Sequence, residues 1–152
     1  MNKANISIIL STYNEAVVIE NTLKSIFETI KDVEVVLVDD NSTDGTLEKV
    51  NKFKDYNIKI YSRKKRGLAS AFLLGITNST GSKVGWLDSN MGHLIKRFPE
   101  MIKELESNDL VILSRYINGG KDERKKLRVF SSRLINFVCR IYLSNKISDY
   151  TS

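Results

Sequence analysis

The sequence predicts an α/β fold, a mostly parallel sheet with helices on both faces. Three observations carry that expectation. Val35-Val36-Leu37-Val38 is an unbroken apolar run of strand-forming residues, as in a strand covered on both sides. Runs of this kind alternate five times with stretches of helical apolar spacing, joined by short loops, and no internal repeat is present. The central run stops at two carboxylates, Asp39 and Asp40. They stand at the carboxyl end of a buried strand, where open α/β sheets bind their ligands.

Taken in order, Ile6-Ser7-Ile8-Ile9-Leu10 is the first strand. It leads through Ser11-Thr12-Tyr13-Asn14-Glu15 into a helix marked by Ile19, Leu23, Ile26 and Ile30. That loop carries an aromatic ring and a carboxylate to the sheet edge. Tyr13 can stack on a base and Glu15 can bind it, or they can be a packed tyrosine and a helix-start glutamate. Past the central strand, Asn41, Ser42, Asp44 and Gly45 supply turn chemistry, and Ser42, Thr43 or Asp44 can cap a helix starting near Thr46. Asp39 and Asp40 can accept hydrogen bonds from a base and a ribose, or cap and solvate the turn.

The next helix runs through Leu47, Val50 and Phe53, and Ile58-Lys59-Ile60-Tyr61 is the third strand. Arg63-Lys64-Lys65-Arg66-Gly67 then places four cations before a helix from Leu68 to about Thr77, a corner able to attract phosphate or a solvated basic loop. The turn 78–82 precedes a fourth strand, Lys83-Val84-Gly85-Trp86-Leu87, which ends at Asp88-Ser89-Asn90. Pro99 suits the first turn of a helix with Phe98, Met101, Ile102 and Leu105 inward. Leu110-Val111-Ile112-Leu113 reads as a fifth strand, followed by Ser114-Arg115-Tyr116 and a charged run from Lys121 to Arg128. A long amphipathic helix follows. Leu127, Phe130, Leu134, Phe137, Val138, Ile141 and Tyr142 form its apolar side, and Arg124, Lys125, Arg128, Arg133 and Arg140 punctuate it. The pattern suits core packing, the expectation for any one helix, or a membrane surface.

Composition narrows the function. One hundred and fifty-two residues with 41% hydrophobic content suffice for one domain, 1–152, with a real core. The single cysteine, Cys139, rules out an internal disulfide and a Cys-rich zinc site, and the single histidine, His93, rules out a His cluster. A reducing, cytoplasmic setting fits. No apolar stretch reaches the ~20 residues of a membrane span. Residues 1–88 carry 12 basic and 11 acidic side chains and residues 89–152 carry 12 and 7, so the second half holds most of the net charge of +6 and points to a phosphate-bearing partner. No G-x-G-x-x-G follows the first strand and no G-x-x-x-x-G-K-[ST] occurs. A receiver domain carries its acidic pair after the first strand, not the second. Tyr61 and Tyr116 are too few and too scattered to interleave with the cations as nucleic-acid binding requires.

Ser11 to Glu15, Val38 to Thr46, Gly67-Leu68, Asp88-Ser89-Asn90, and Ser114-Arg115-Tyr116 with Gly119-Gly120 together resemble the family 2 glycosyltransferases of the GT-A (Rossmann-like) fold. Within that family the likeness is to the polyprenyl-phosphate glycosyltransferases, the dolichyl-phosphate mannosyltransferase group above all, and it is colinear over nearly the whole chain. The resemblance implies transfer of mannose or glucose from GDP-mannose or a UDP-sugar to a polyprenyl phosphate (dolichyl or undecaprenyl), with inversion. It implies that Ser11, Tyr13, Glu15, Val38 and Asp40 hold the nucleoside, with Ser89 in the donor-binding set. It further implies Mg²⁺ or Mn²⁺ at a D-x-D motif whose first acid is Asp88. Here the second acid is replaced by Asn90 and the further ligand by Gly92, a weakened site, because a neutral oxygen attracts a hard cation less than a carboxylate does. Arg115 and Arg128 match basic residues that hold phosphate, with Lys125 and Lys126 as neighbours. An anionic phosphate acceptor needs no general base. The resemblance also implies the cytoplasmic face of a membrane, with peripheral contact through the basic C-terminal helix. Asp149-Tyr150-Thr151-Ser152 resembles the start of a motif that continues Gly-Phe-Arg, so a chain missing roughly the last third of a common catalytic domain is expected. A non-catalytic nucleotide-sugar-binding module, favoured by Asn90 and Gly92, is the second expectation.

Overall fold

The computed structural model describes residues 5–116, 125–143 and 147–150, and the chain divides into two compact units, Met1–Glu100 and Met101–Ser152. The first unit is a four-stranded parallel sheet in the order β3-β2-β1-β4. Its elements are β1 (Ile6–Thr12), α1 (Ile19–Thr29), β2 (Val33–Asp39), α2 (Thr46–Val50) with a short 3₁₀ turn (Asn51–Phe53), β3 (Ile58–Ser62), α3 (Leu68–Asn78) and β4 (Lys83–Asp88). A 3₁₀ segment, Ser89–Arg97, then leads into α4 (Phe98–Glu104). All seven residues of β2 are buried, and Val35, Val36, Leu37 and Val38 are fully enclosed. At ~1.5–3 kcal/mol for each large apolar side chain removed from water, the central pair β1 and β2 holds the unit together, not the half-exposed edge strand β3.

The chain steps from β1 to β2 to β3 and then returns past β1 to add β4. Right-handed crossovers put α1 and α2 on one face and α3 on the other. Packing agrees: a Cβ on Gly75 of α3 would run into Ile9, whereas one on Gly85 would lie 2.8 Å from Ile8 and 3.3 Å from Phe98 of α4. Ile8 and Ile9 point to opposite faces of β1. The strand order reverses between β1 and β4, which makes their carboxyl ends a topological switch point.

The second unit has a long helix, α5 (Lys126–Tyr142), and no strand among its described residues. The expected fifth strand at Leu110–Leu113 is therefore corrected. The stretch finds no ladder partner, and Leu110 and Ile112 are 62% and 38% exposed. An apolar run becomes a strand only where a neighbouring backbone takes its hydrogen bonds. Core packing of α5 is corrected as well: all seven apolar residues expected on its inner side are exposed, and its enclosed side chains are Ser132 and Asn136. Gly119-Gly120 lies outside the described residues.

Candidate functional site

In the first unit the expected donor residues share one rim. Parallel register sets Thr12 beside Asp39 and Ser11 beside Asp88, so the loops after β1, β2 and β4 leave the sheet at a common level. The loop after β1 and the Asp39–Thr46 turn are sewn together. The Asp40 amide donates to the Thr12 carbonyl at 2.9 Å, and the Thr12 hydroxyl donates to Asp39 at 2.9 Å. The amide of Asn14, in the left-handed region at φ 55°, donates to the Ser42 hydroxyl, and the Thr43 amide donates back to the Asn14 side-chain oxygen, both at 2.9 Å. The Glu15 amide donates to Thr46, and that of Ala16 to Asp44.

The two acids of the pair have different work. Asp39 is fully buried and accepts from Thr12 and from the amide and hydroxyl of Ser42, so it is a fixed turn anchor. Asp44 takes the Thr46 amide at 3.1 Å just ahead of α2, and the Thr46 hydroxyl, against a smaller opposing push from burial, holds its carboxyl below the usual range. Asp40 faces the basic loop. Arg63 Nε donates to its Oδ1 at 2.5 Å, and the Gly67 amide donates to its Oδ2 at 3.0 Å. Arg63 also donates to the Ser70 hydroxyl and the Gly67 carbonyl. Gly67 sits at φ 145°, a backbone state closed to most side chains, and lets α3 start directly beneath Asp40. Arg66 donates to the Tyr13 hydroxyl, and its guanidinium carbon lies 3.7 Å from the Tyr13 ring centroid.

The remaining expected residues divide. Tyr13 is 40% exposed, and Asp88 and Asn90 are open to solvent on the rim. Glu15 and Ser11 are half-buried. Val38 is fully enclosed, so any ligand contact falls to its main chain. Ser89 is buried, and its carbonyl accepts from Thr22 at 2.6 Å. Among the described residues no three carboxylate, histidine or cysteine side chains gather as a metal cluster. Asp88 and Asn90 nonetheless offer two oxygen donors, which suits a hard cation that takes its other ligands from water and substrate phosphates. Position 92 cannot add a third without rearrangement, because a Cβ there would stand 2.8 Å from the Thr22 hydroxyl oxygen.

In the second unit Arg115 borders an open groove of about 830 Å³ with Tyr116, Arg133, Asn136, Phe137, Arg140 and Ser148. Arg128, the other expected phosphate ligand, is exposed near the start of α5 and does not line it. Arg115 pairs side-on with Asp149, Nε to Oδ2 at 2.8 Å and Nη2 to Oδ1 at 3.1 Å. Arg66 as a partner of Tyr13, and Arg133, Asn136 and Asp149 at the groove, are site residues that the sequence did not lead one to expect. The four-cation run was the signal for the first. Helical spacing from Arg133 to Asn136 and Arg140 was the signal for Arg133 and Asn136, and no spacing marks Asp149.

The family model for "Glycosyl transferase family 2" matches residues 7–152. The chain belongs to glycosyl transferase family 2. Dolichol-phosphate mannosyltransferase of Pyrococcus furiosus is 33% identical over 123 residues, 78% of this chain and 35% of that protein. The Saccharomyces cerevisiae dolichol-phosphate mannosyltransferase is 31% identical over 137 residues, 83% and 51% of the two chains. This family 2 chain thus spans about a third of the first relative and about half of the second. Among solved structures it is similar to a Pyrobaculum calidifontis mannosyltransferase in complex with GDP-Man and Mn²⁺, with a TM-score of 0.52 and 31% identity over 59% of this chain and 28% of that one. It is also similar to S. aureus TarS in complex with UDP-GlcNAc, with a TM-score of 0.55 and 25% identity over 73% and 37%. These neighbours are GT-A glycosyltransferases, and the parallel sheet flanked by helices agrees with that fold.

Proposed function

We propose that this chain is the donor-binding part of an inverting glycosyltransferase that moves mannose or glucose from GDP-mannose or a UDP-sugar to a polyprenyl phosphate. The observation that carries the proposal is the convergence of Tyr13, Asp40 and Asp88 on the switch-point rim of a family 2 sheet. Tyr13 offers the ring face for the base. Asp40 holds the basic loop against that face through Arg63 and Gly67. Ser11, Glu15, Ser89 and the Val38 main chain complete the nucleoside side. Asp88 and Asn90 would hold Mg²⁺ or Mn²⁺ with the donor diphosphate. The ion would offset charge on the leaving diphosphate. The names of the two mannosyltransferase relatives support the lipid phosphate as acceptor. Arg115 and Arg128 are assigned to phosphate. The acceptor brings its own anionic oxygen, so no side chain has to remove a proton. The exposed apolar and basic side chains of α5 support peripheral contact with the cytoplasmic face of a membrane.

Titration with GDP and UDP, with and without Mn²⁺, together with a transfer assay from labelled GDP-mannose to dolichyl phosphate, tests the proposal. Metal-dependent nucleotide binding and labelled lipid are expected. The neutral Asn90 and the filled position 92 favour a second reading, a nucleotide-sugar-binding module without transfer. Nucleotide binding that ignores metal, with no labelled lipid, selects the second.

A further inference from the structure

We infer that Asp149 and Asn136 are positioning residues that set the guanidinium of Arg115 at the acceptor groove. The inference rests on the assignment of Arg115 to phosphate. Arg115 follows an irregular stretch that forms no strand. Its orientation comes from a carboxylate 34 residues away. The Asp149 side chain is 0% exposed, takes Nε and Nη2 of Arg115 at 2.8 and 3.1 Å, and also accepts from the Arg115 main-chain amide at 3.4 Å. This two-point pairing fixes the guanidinium plane as one ion contact would not.

Asn136 holds the carboxylate in turn. It is 4% exposed on α5, donates to Asp149 Oδ1 at 3.4 Å, and accepts the Tyr150 amide at 2.6 Å. Around them the Ser148 hydroxyl donates to that of Ser114 at 2.7 Å, and Arg140 donates to the Ser148 carbonyl at 2.7 Å. Among its described residues the unit gives its enclosed positions to Ser132, Asn136 and Asp149 while Leu134, Phe137 and Ile141 stay 55–63% exposed. Stability alone favours the reverse, because a buried ion pair is often no better than apolar packing. The arrangement makes sense as a device for geometry. Among the described residues three arginines, Arg115, Arg133 and Arg140, border the groove with Asp149 as the buried counter-charge, so that described lining carries a positive excess for an anionic ligand.

Asp149→Asn in the full chain tests this, with geranyl phosphate and GDP as titrants. Affinity for geranyl phosphate is expected to fall about tenfold to a hundredfold, the scale of a misplaced contact group. GDP affinity should hold within about twofold, a split that global damage would not give. Asp149→Glu should recover part of the loss. Arg115→Ala should lose as much as Asp149→Asn, and the double variant no more than Arg115→Ala alone. If Asp149→Asn fails to fold, Asn136→Ala carries the test, with about a threefold expected loss for one hydrogen bond. Unchanged or tighter geranyl phosphate binding in Asp149→Asn, or in Asn136→Ala where that variant carries the test, with Arg115→Ala still impaired, overturns the positioning inference alone. Unchanged binding in Arg115→Ala overturns the phosphate assignment beneath it.

Discussion

Arg66 lies over Tyr13 with its guanidinium carbon 3.7 Å from the ring centroid, so the aromatic face at the end of β1 is met by a cation from the loop before α3. A base that stacks on Tyr13 either shares that ring with Arg66 or moves it. The ring face is therefore what matters to the ligand, more than the hydroxyl. Tyr13→Ala should weaken GDP or UDP binding about tenfold, at the low end of base–aromatic stacking, and Tyr13→Phe should keep most of the affinity. Calorimetric titration of both variants checks this, and equal losses would contradict it.

The proposed metal site can be improved at one position. Asn90 is exposed on the rim and has room for a carboxylate, whereas position 92 is closed by Thr22. Asn90→Asp should raise Mn²⁺-dependent GDP affinity about tenfold, because a charged oxygen replaces a neutral one. Gly92→Asp should lower the melting temperature and give no such gain. Metal titration at fixed GDP, beside a thermal melt, separates the two.

At the opposite, amino-terminal end of the sheet, Glu34 is 1% exposed. It accepts from Ser7, from the Lys59 ammonium at 2.8 Å, and from the amide and hydroxyl of Thr80 at 2.7 and 2.8 Å. Burial pushes its carboxyl up, and the bonds from Lys59, Ser7 and Thr80 outweigh that and bring it down to about 2. The folded value lies below the unfolded value of 4.5, so this stabilisation is present in full above pH 4.5 and is lost as pH falls toward about 2. Glu34→Gln should cost on the order of 2–3 kcal/mol at pH 7 and flatten the acid limb of the stability curve. Denaturant unfolding from pH 7 to pH 3 tests it, and an unchanged limb would contradict it.

The apolar side of α5 gives a prediction outside the proposed donor site. Leu127 and Phe130 are 81% and 66% exposed beside the basic residues Lys125, Lys126 and Arg128. The double variant Leu127→Glu, Phe130→Glu should bind vesicles of anionic lipid at least about tenfold more weakly, through lost apolar burial and added like charge. GDP binding should not change. Co-sedimentation with vesicles reads the first and calorimetry the second.

Much of the sheet of the first unit was legible because its signals are local. The run Val35–Val38 named the central strand, and the carboxylates after β2 and β4 marked the rim. Real strands ran slightly past the apolar runs, to Thr12 and Asp39, because ladder bonds do not stop where hydrophobicity does. The division of labour between Asp39 and Asp40 was not legible, since it depends on Thr12 and Arg63, distant in sequence and adjacent only through the register. The 3₁₀ segment Ser89–Arg97 went unforeseen, although Met91, Leu94 and Ile95 stand at helical spacing. In the second half, Leu110–Leu113 misled because an apolar run does not say whether a neighbouring strand exists. Asp149 reaches Arg115 across 34 residues, a pairing that spacing cannot show.

A crystal structure of the chain with GDP and Mn²⁺ tests the central claim most directly. The account predicts the guanine against the Tyr13 ring beside the Arg63–Gly67 loop, with the diphosphate next to Asp88 between the ends of β1 and β4. A nucleotide bound away from that rim, or a rim that stays empty at saturating GDP, would contradict it.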